Sequence, residues 1–246
     1  MLSNIITFSA NKIITENKDI APIPCKLNIP DWFKDLKHHP HDKSVKGCMP
    51  FLDTLTTGYI LKTPIDYYLQ HNIPNNDNRE SHLKSSLYAG FSPPGVNLNY
   101  VETHKENHPK QQLGNCPFNK KNKDQPFHKI LSPWTIKTPS GYSCLFLPPL
   151  NNADDRFSII PGIVDTDIYP GEINFPIIVN GDKYPILETI IKMGTPFVQI
   201  IPFKREPWKM KIENLDDKKL IKFKFKFASH IYQTYKNLYW SKKSWK

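Results

Sequence analysis

Prolines occur along the whole chain, 23 in 246 residues, and they limit the length of any regular element. This share is about twice the usual proline content of roughly 5%. Proline lacks a backbone N–H and interrupts helix interiors and central strands, so it belongs in turns, at strand edges and in irregular connections. The sequence therefore predicts a mainly β chain of short elements and argues against a helical bundle.

Three regions differ in their sequence pattern. We expect residues 1–126 to be an irregular N-terminal region with a short helix and strands, and residues 127–208 to be a compact β core. Residues 209–246 are Lys- and aromatic-rich and predict a strand and a C-terminal helix that pack on the core. Within the core, short strands alternate with turn residues, as in a β-sandwich or barrel. Asn180-Gly181 predicts a tight hairpin there, because both residue types tolerate positive φ.

Positive charge is concentrated at the C-terminal end. Residues 209–246 carry 11 Lys against Glu213, Asp216 and Asp217, a net charge of +8 out of +10 for the chain. Only three of the 33 basic residues are Arg, the side chain best suited to phosphates and guanine edges. The composition therefore argues against sequence-specific recognition of nucleic acid.

The cysteines and the hydropathy pattern indicate the compartment. Cys25, Cys48, Cys116 and Cys144 are widely separated and form no C-x-x-C pair, which is typical of reduced thiols in a cytosolic setting. The first residues lack the basic start and apolar run of a secretory signal. No stretch approaches the roughly 18 apolar residues of a membrane span. We expect neither secretion nor contact with a membrane.

Two motifs about thirty residues apart resemble a known family. Residues 162–172 are Gly-Ile-Val-Asp-Thr-Asp-Ile-Tyr-Pro-Gly-Glu, and residues 194–201 are Gly-Thr-Pro-Phe-Val-Gln-Ile-Ile. With the strand pattern of residues 134–203, they resemble the signatures of the dUTPase and dCTP-deaminase group. The resemblance implies a β-clip-like, dUTPase-like core.

The same resemblance implies an activity, namely nucleotide hydrolysis or deamination. Asp165 or Asp167 would orient the attacking water, Tyr169 would pack on the sugar, and the strand of Gln199 would supply contacts. Mg²⁺ would be the cofactor of this alternative alone.

Three departures from the family pattern argue against that chemistry. Tyr169 lies four residues after Asp165, one more than the family spacing, and in a strand a one-residue shift turns a side chain to the opposite face. Pro-Pro-Leu-Asn-Asn at residues 148–152 replaces the family's phosphate-binding segment, and no Gly or Arg follows residue 205. Our first hypothesis is therefore a non-catalytic structural or protein-binding module without a cofactor, which binds an unidentified protein or itself.

Longer stretches of the chain resemble a second group. Residues 29–33 (Ile-Pro-Asp-Trp-Phe) and 48–53 (Cys-Met-Pro-Phe-Leu-Asp), among others, are similar to uncharacterised proteins of marine tailed phages. This resemblance spans most of the chain and brings no known activity. It implies a phage origin, and with it the host cytoplasm or the virion as the location.

Several polar clusters have both a functional and a structural interpretation. Asp165 and Asp167 are two residues apart, so on a strand both carboxylates would share a face and form a paired acid or Mg²⁺ site, or else a solvated rim. Two further sets have spacings that zinc would accept if the loops folded back, but polar loops explain them equally well, and we predict no metal site. These sets are His38, His39, His41 and Asp42, and His104, His108 and Cys116.

The tail combines lysines with aromatic residues. Residues 222–227 alternate Lys and Phe, which predicts a strand with three Phe on one face, and residues 229–240 have helical spacing. Basic and aromatic side chains together suit single-stranded nucleic acid, whereas an edge strand followed by a docked helix explains the same pattern. The residues of such a nucleic-acid or partner surface would be Lys222, Lys224, Lys226, Lys236, Trp240, Lys242 and Lys243.

Overall fold

A computed structural model describes residues 4–37, 44–73, 84–89, 108–229 and 234–246. The strands of this part of the chain are β1 (Thr7–Ser9), β2 (Ile23–Pro24), β3 (Tyr59–Lys62), β4 (Tyr67–Ile73), β5 (Lys84–Ala89), β6 (His128–Lys137), β7 (Tyr142–Leu147), β8 (Phe157–Ile159), β9 (Gly162–Val164), β10 (Glu172–Val179), β11 (Leu187–Ile191) and β12 (Pro196–Lys204). The helices are α1 (Lys12–Glu16), α2 (Asp31–Asp35), α3 (Met49–Thr56), α4 (Pro117–Lys121), α5 (Asp217–Ser229) and α6 (Thr234–Leu238).

The strands form three antiparallel sheets, in the orders β1-β6-β10-β8, β11-β4-β5 and β2-β3-β12-β7-β9. Strands that precede residue 126 pair with strands that follow it in every sheet: β1 with β6, β4 with β11, and β3 with β12. The N-terminal region therefore completes the sheets of the core. The predicted mainly β class is confirmed, and the arrangement is consistent with a β-clip-like core.

Buried residues of all three sheets form one hydrophobic core. Alternate residues of a strand point to the same face, so β10 directs Ile173, Phe175 and Ile177 inward, all at most 8% exposed. The ring of Phe175 lies 5.5 Å from that of Phe146 on β7 and 5.5 Å from that of Phe197 on β12. This aromatic contact joins the two sheets.

The prediction of a hairpin at Asn180-Gly181 is wrong, because β10 and β11 belong to different sheets. The main-chain N–H of Asn180 donates to the carbonyl of Arg156, and that of Gly181 donates to the carbonyl of Lys121 at the end of α4, both at 2.9 Å. A Cβ at Gly181 would lie 2.6 Å from that Lys121 oxygen. Glycine fits this position because two main chains come close together here, and not because the chain forms a two-residue turn.

The strand predicted for residues 222–227 is also wrong, since helix α5 includes them. Asp216 caps the start of α5 by accepting from the main chain of Lys218 at 2.9 Å. In a helix, residues four apart share a side, and the rings of Phe223 and Phe227 lie 5.7 Å apart. The helix predicted for residues 229–240 is confirmed over α6, and residues 230–233 lie outside the described residues. None of the helices described is long and apolar enough to cross a membrane.

Candidate functional site

The two predicted acidic residues meet on Arg205. Asp165 and Asp167 lie in the turn that follows β9, so the expectation that they share a face of a strand is wrong. Arg205 follows β12 directly and binds both oxygens of Asp167, one of them at 2.9 Å through Nη1, and Oδ1 of Asp165 at 3.2 Å. The side chain of Asp167 is 5% exposed and that of Asp165 is 52% exposed. The turn and the end of β12 therefore form one charged cluster.

Neutral donors occupy further lone pairs of these carboxylates. Ser143 Oγ donates to Asp165 at 2.6 Å, and the main-chain N–H of Gly141 donates to Asp167 at 2.8 Å. The hydrogen bonds from Arg205, together with the one from Gly141, lower the pKa of Asp167 to about 2. Both hydrogen bonds to Asp165 reach its Oδ1, whereas both oxygens of Asp167 are bonded. In this structure, the acidic pair holds the turn after β9 to β7 and β12.

Thr166 separates the two acids and points into the protein. It is 1% exposed, and its hydroxyl lies 2.8 Å from that of Thr138 and donates to Cys144 Sγ at 3.3 Å. Burial raises the pKa of the Cys144 thiol to about 11. Cys144 is therefore an inert core thiol.

Tyr169 closes its own turn. Its hydroxyl donates to the main-chain oxygen of Glu172 at 3.1 Å, and the side chain is half-exposed. A Cβ at Gly171 would lie 2.7 Å from the Tyr169 hydroxyl, so the ring rests on the glycine. Within the described residues, the Tyr169 hydroxyl has no bond to either acid, so the structure brings Asp165 and Asp167 together on Arg205 but leaves the Tyr169 hydroxyl outside the cluster.

Gln199 is buried in β12 and its amide is used in structural bonds. Its oxygen accepts from the main-chain N–H of Leu150 at 2.9 Å, and its nitrogen donates to the carbonyls of Thr54 at 3.0 Å and Thr57 at 2.8 Å. The side chain is 2% exposed. Gln199 thus ties the loop after β7 and the end of α3 to the central strand.

We expect Gln199→Leu to lower the free energy of unfolding by about 2–4 kcal/mol, because the buried Gln199 amide and three part-buried main-chain groups lose these hydrogen bonds. Urea unfolding monitored by circular dichroism measures the change. The matched control is Gln111→Leu at an exposed position, which should stay within about 0.5 kcal/mol of the wild type. Equal stability of the two variants would contradict the structural role.

Two of the predicted tail residues hold the end of the chain to α3. Trp240 Nε1 donates to both carboxylate oxygens of Asp53, at 3.2 and 3.1 Å, and Lys243 Nζ lies 2.6 Å from the same group. The remaining residues of the predicted surface lie exposed on α5, on α6 and after it, and they are Lys222, Lys224, Lys226, Lys236 and Lys242.

Most residues of the two predicted zinc sets lie outside the part of the chain that the structure describes. His38, His39, His41, Asp42 and His104 lie outside the described residues. His108 pairs with Gln112 through Nδ1 and stacks on Phe127 with ring centroids 4.9 Å apart. The described ranges contain no cluster of three His, Cys, Asp or Glu side chains able to hold a metal ion.

Sequence reasoning missed Arg205 as the partner of both acids. The available signal was its rarity, one of three arginines in the chain, and its place at the end of the last core strand. Arg205 is 38 residues from Asp167 along the chain, so only the fold brings them together.

Comparison with known proteins finds a weak structural likeness. No family model matches the chain, and no curated protein matches it. A mutant dUTPase of Staphylococcus bacteriophage 80alpha, solved with dUpNHpp, is 10% identical over 87% of this chain and 89% of that chain, with a TM-score of 0.36. The function is therefore argued from the chain's own residues.

Proposed function

We propose that this chain is a non-catalytic structural or protein-binding module on a β-clip-like scaffold. The side chains that a dUTPase-type mechanism would need are used in internal contacts: Asp165 and Asp167 on Arg205, Gln199 on three main-chain groups, and Tyr169 on its own turn. The phage origin implied by the second sequence resemblance is part of the same proposal.

The observation that carries the proposal is an exposed segment without regular secondary structure at residues 206–216. Trp208, Met210 and Ile212 occupy alternating positions and are 90%, 84% and 86% exposed. Residues 206–215 make no main-chain hydrogen bond to another described residue. A segment with alternating apolar side chains and unpaired main-chain groups can add as a strand to the edge of another sheet, and Trp is enriched among the residues that dominate binding interfaces.

The partner best matched to this segment is a second copy of the chain. Strand β9 lies at an edge of the five-stranded sheet, and its Ile163 is 62% exposed. The turn after β9 is bound to Arg205, the residue directly before the segment. The start of the segment therefore lies close to the end of β9, so a twofold axis near this point would let each copy place its segment on the other's β9.

We expect the wild type to form a dimer in sedimentation equilibrium and a triple variant, Trp208→Ser with Met210→Ser and Ile212→Ser, to dissociate at least a hundredfold more readily. Burying one such side chain stabilises by about 1.5–3 kcal/mol, and 1.4 kcal/mol is a factor of about ten. The control is Lys209→Ser with Lys211→Ser, on the opposite face of the segment, which should leave the dimer intact.

Two outcomes count against the proposal. A wild type that stays monomeric at every concentration, or a triple variant that dimerises as well as the wild type, would remove the self-binding segment. Turnover of dUTP or dCTP by the purified wild type, lost in Asp165→Asn, would remove the non-catalytic role.

A further inference from the structure

Helix α5 carries five lysines in a part of the chain that contains no acid to balance them. Residues 218–246 include nine Lys and neither Asp nor Glu. No ion pair between described residues involves the exposed lysines at the start and middle of α5, which are Lys218, Lys219, Lys222 and Lys224. Positive charge is therefore available on this helix for an anionic partner.

The phenylalanines of the same helix remain exposed. Phe225 is 75% exposed, and Phe223 and Phe227 are half-exposed. The described ring contacts of α5 are made within the tail, since the ring of Phe223 lies 5.7 Å from that of Phe227 and 5.6 Å from that of Tyr239. Exposed clusters of large apolar side chains mark binding surfaces, and this cluster is interleaved with the lysines of the helix.

The position of Lys224 distinguishes this surface from that of a membrane-binding helix. Neighbours on the surface of a helix are three and four residues apart, and those of Lys224 are Leu220, Ile221, Phe227 and Ala228. A helix that lies on a membrane keeps its lysines on the polar face and buries its apolar face in lipid. In α5 a lysine lies at the centre of the apolar side, where burial would remove the water around its charge.

The same arrangement fits a ligand that carries both negative charge and flat rings. Lys222 precedes Phe225 by three residues and Lys219 precedes Phe223 by four, so each ring has a lysine beside it on the helix surface. Single-stranded nucleic acid offers a phosphate and an unpaired base in every nucleotide, and it is bound by basic surfaces that carry aromatic rings. Lysine attracts phosphates as a point charge, so the scarcity of Arg in this chain agrees with binding that is independent of sequence.

We propose that α5 binds single-stranded nucleic acid without sequence preference.

In this complex Lys218, Lys222 and Lys224 contact phosphates, and Phe225 stacks on a base. Two residues of the surface predicted from the sequence have another role, because Trp240 and Lys243 hold the end of the chain to α3 through Asp53. The site does not involve the Arg205 cluster or the segment 206–216, so it adds a function to the proposed protein-binding module.

The test is fluorescence anisotropy of the full chain with a labelled oligothymidylate and with a labelled duplex of the same length. We expect the wild type to bind the single strand more tightly than the duplex, because only unpaired bases can stack on Phe225. Phe225→Leu, which keeps an apolar side chain and removes the ring, should weaken binding of the single strand about tenfold and leave binding of the duplex unchanged. The matched control is Phe203→Leu, the same change at another exposed phenylalanine, and it should bind as the wild type does.

The dependence of binding on salt tests the lysines. A triple variant, Lys218→Gln with Lys222→Gln and Lys224→Gln, should reduce the slope of log affinity against log salt by about 2, since each phosphate contact on a single strand contributes about 0.7. The control makes the same charge change at three exposed lysines outside the tail, namely Lys18→Gln, Lys26→Gln and Lys110→Gln. It should keep the wild-type slope. Gln and Lys have similar helix propensities, and circular dichroism of each variant checks that the helix is retained.

Tighter binding of the single strand that depends on Phe225 and on the three lysines supports the site. Absence of oligothymidylate binding at low salt overturns it, as does equal or tighter binding of the duplex, which would show attraction by charge alone. Vesicles that contain phosphatidylserine are the remaining probe. Binding of the wild type to these vesicles but not to the oligothymidylate would assign α5 to a membrane surface and overturn the proposal.

Discussion

A Gly58→Ala variant is expected to lose most of the stability of the fold. Gly58 joins α3 to β3 with φ of +78°, and an alanine Cβ would lie 1.9 Å from the main-chain oxygen of Ile200 on β12. The carbonyl of Gly58 also accepts from the main chain of Cys25 at 3.0 Å. Main-chain atoms on both sides therefore fix the glycine, and neither can move without disturbing the five-stranded sheet.

The expected loss of stability has two parts, and an alanine variant at a second glycine separates them. The left-handed conformation alone costs alanine about 1–2 kcal/mol. The clash with a central strand should take the total beyond about 4 kcal/mol, a large part of the 5–15 kcal/mol that stabilises a typical protein. Gly141 has φ of +83° and open space around its Cβ position, so Gly141→Ala measures the conformational part alone. Urea unfolding that gives equal losses for both variants would contradict the proposed clash.

The class of the fold follows from the sequence because it depends on local properties. Frequent prolines and short alternating runs exclude long helices wherever they occur, and the structure is accordingly mainly β. The partners of each strand do not follow in the same way. Gly181 is a turn residue by type, but its position is decided by Lys121, which lies in a different element.

Two alternating segments of the tail also show that a local sequence pattern does not decide the structure alone. Residues 222–227 alternate Lys with Phe and are helical, whereas residues 208–212 alternate apolar with other side chains and have no regular secondary structure. Six alternating residues fit either conformation, and the Asp216 cap favours the helix in the first case. The candidate site shows the same difference, because its acids lie in a recognisable motif, whereas Arg205 comes from a distant part of the chain.

A buried histidine pair should make the protein sensitive to mild acid. His71 on β4 and His128 on β6 lie on either side of Ser85, whose hydroxyl is 3.3 Å from His71 Nδ1 and 2.9 Å from His128 Nε2. Both histidines are at most 2% exposed. Burial lowers the pKa of each to about 4, with a smaller contribution from Lys123 at His71 and from His71 at His128.

The direction of the pH effect follows from these shifts. The pKa of each histidine falls from 6.5 in the unfolded chain to about 4 in the folded one, so the unfolded chain takes up protons first as the pH falls. Stability is therefore full above pH 6.5 and is lost between pH 6.5 and about 4. For His128 the loss is at most about 3.5 kcal/mol, since one pKa unit corresponds to about 1.4 kcal/mol, and His71 adds to it in the same direction.

The measurement is the free energy of unfolding in urea as a function of pH. Between pH 6.5 and about 5, carboxylates with ordinary pKa values remain ionised, so the loss of stability in that window comes from the histidines. A variant with His71→Gln and His128→Gln should be less stable at pH 7 but should have a flatter slope in this window, because no histidine of the pair is left to protonate. The control His108→Gln keeps the buried pair and should retain the wild-type slope. An unchanged slope in the double variant would show that the acid sensitivity has another source.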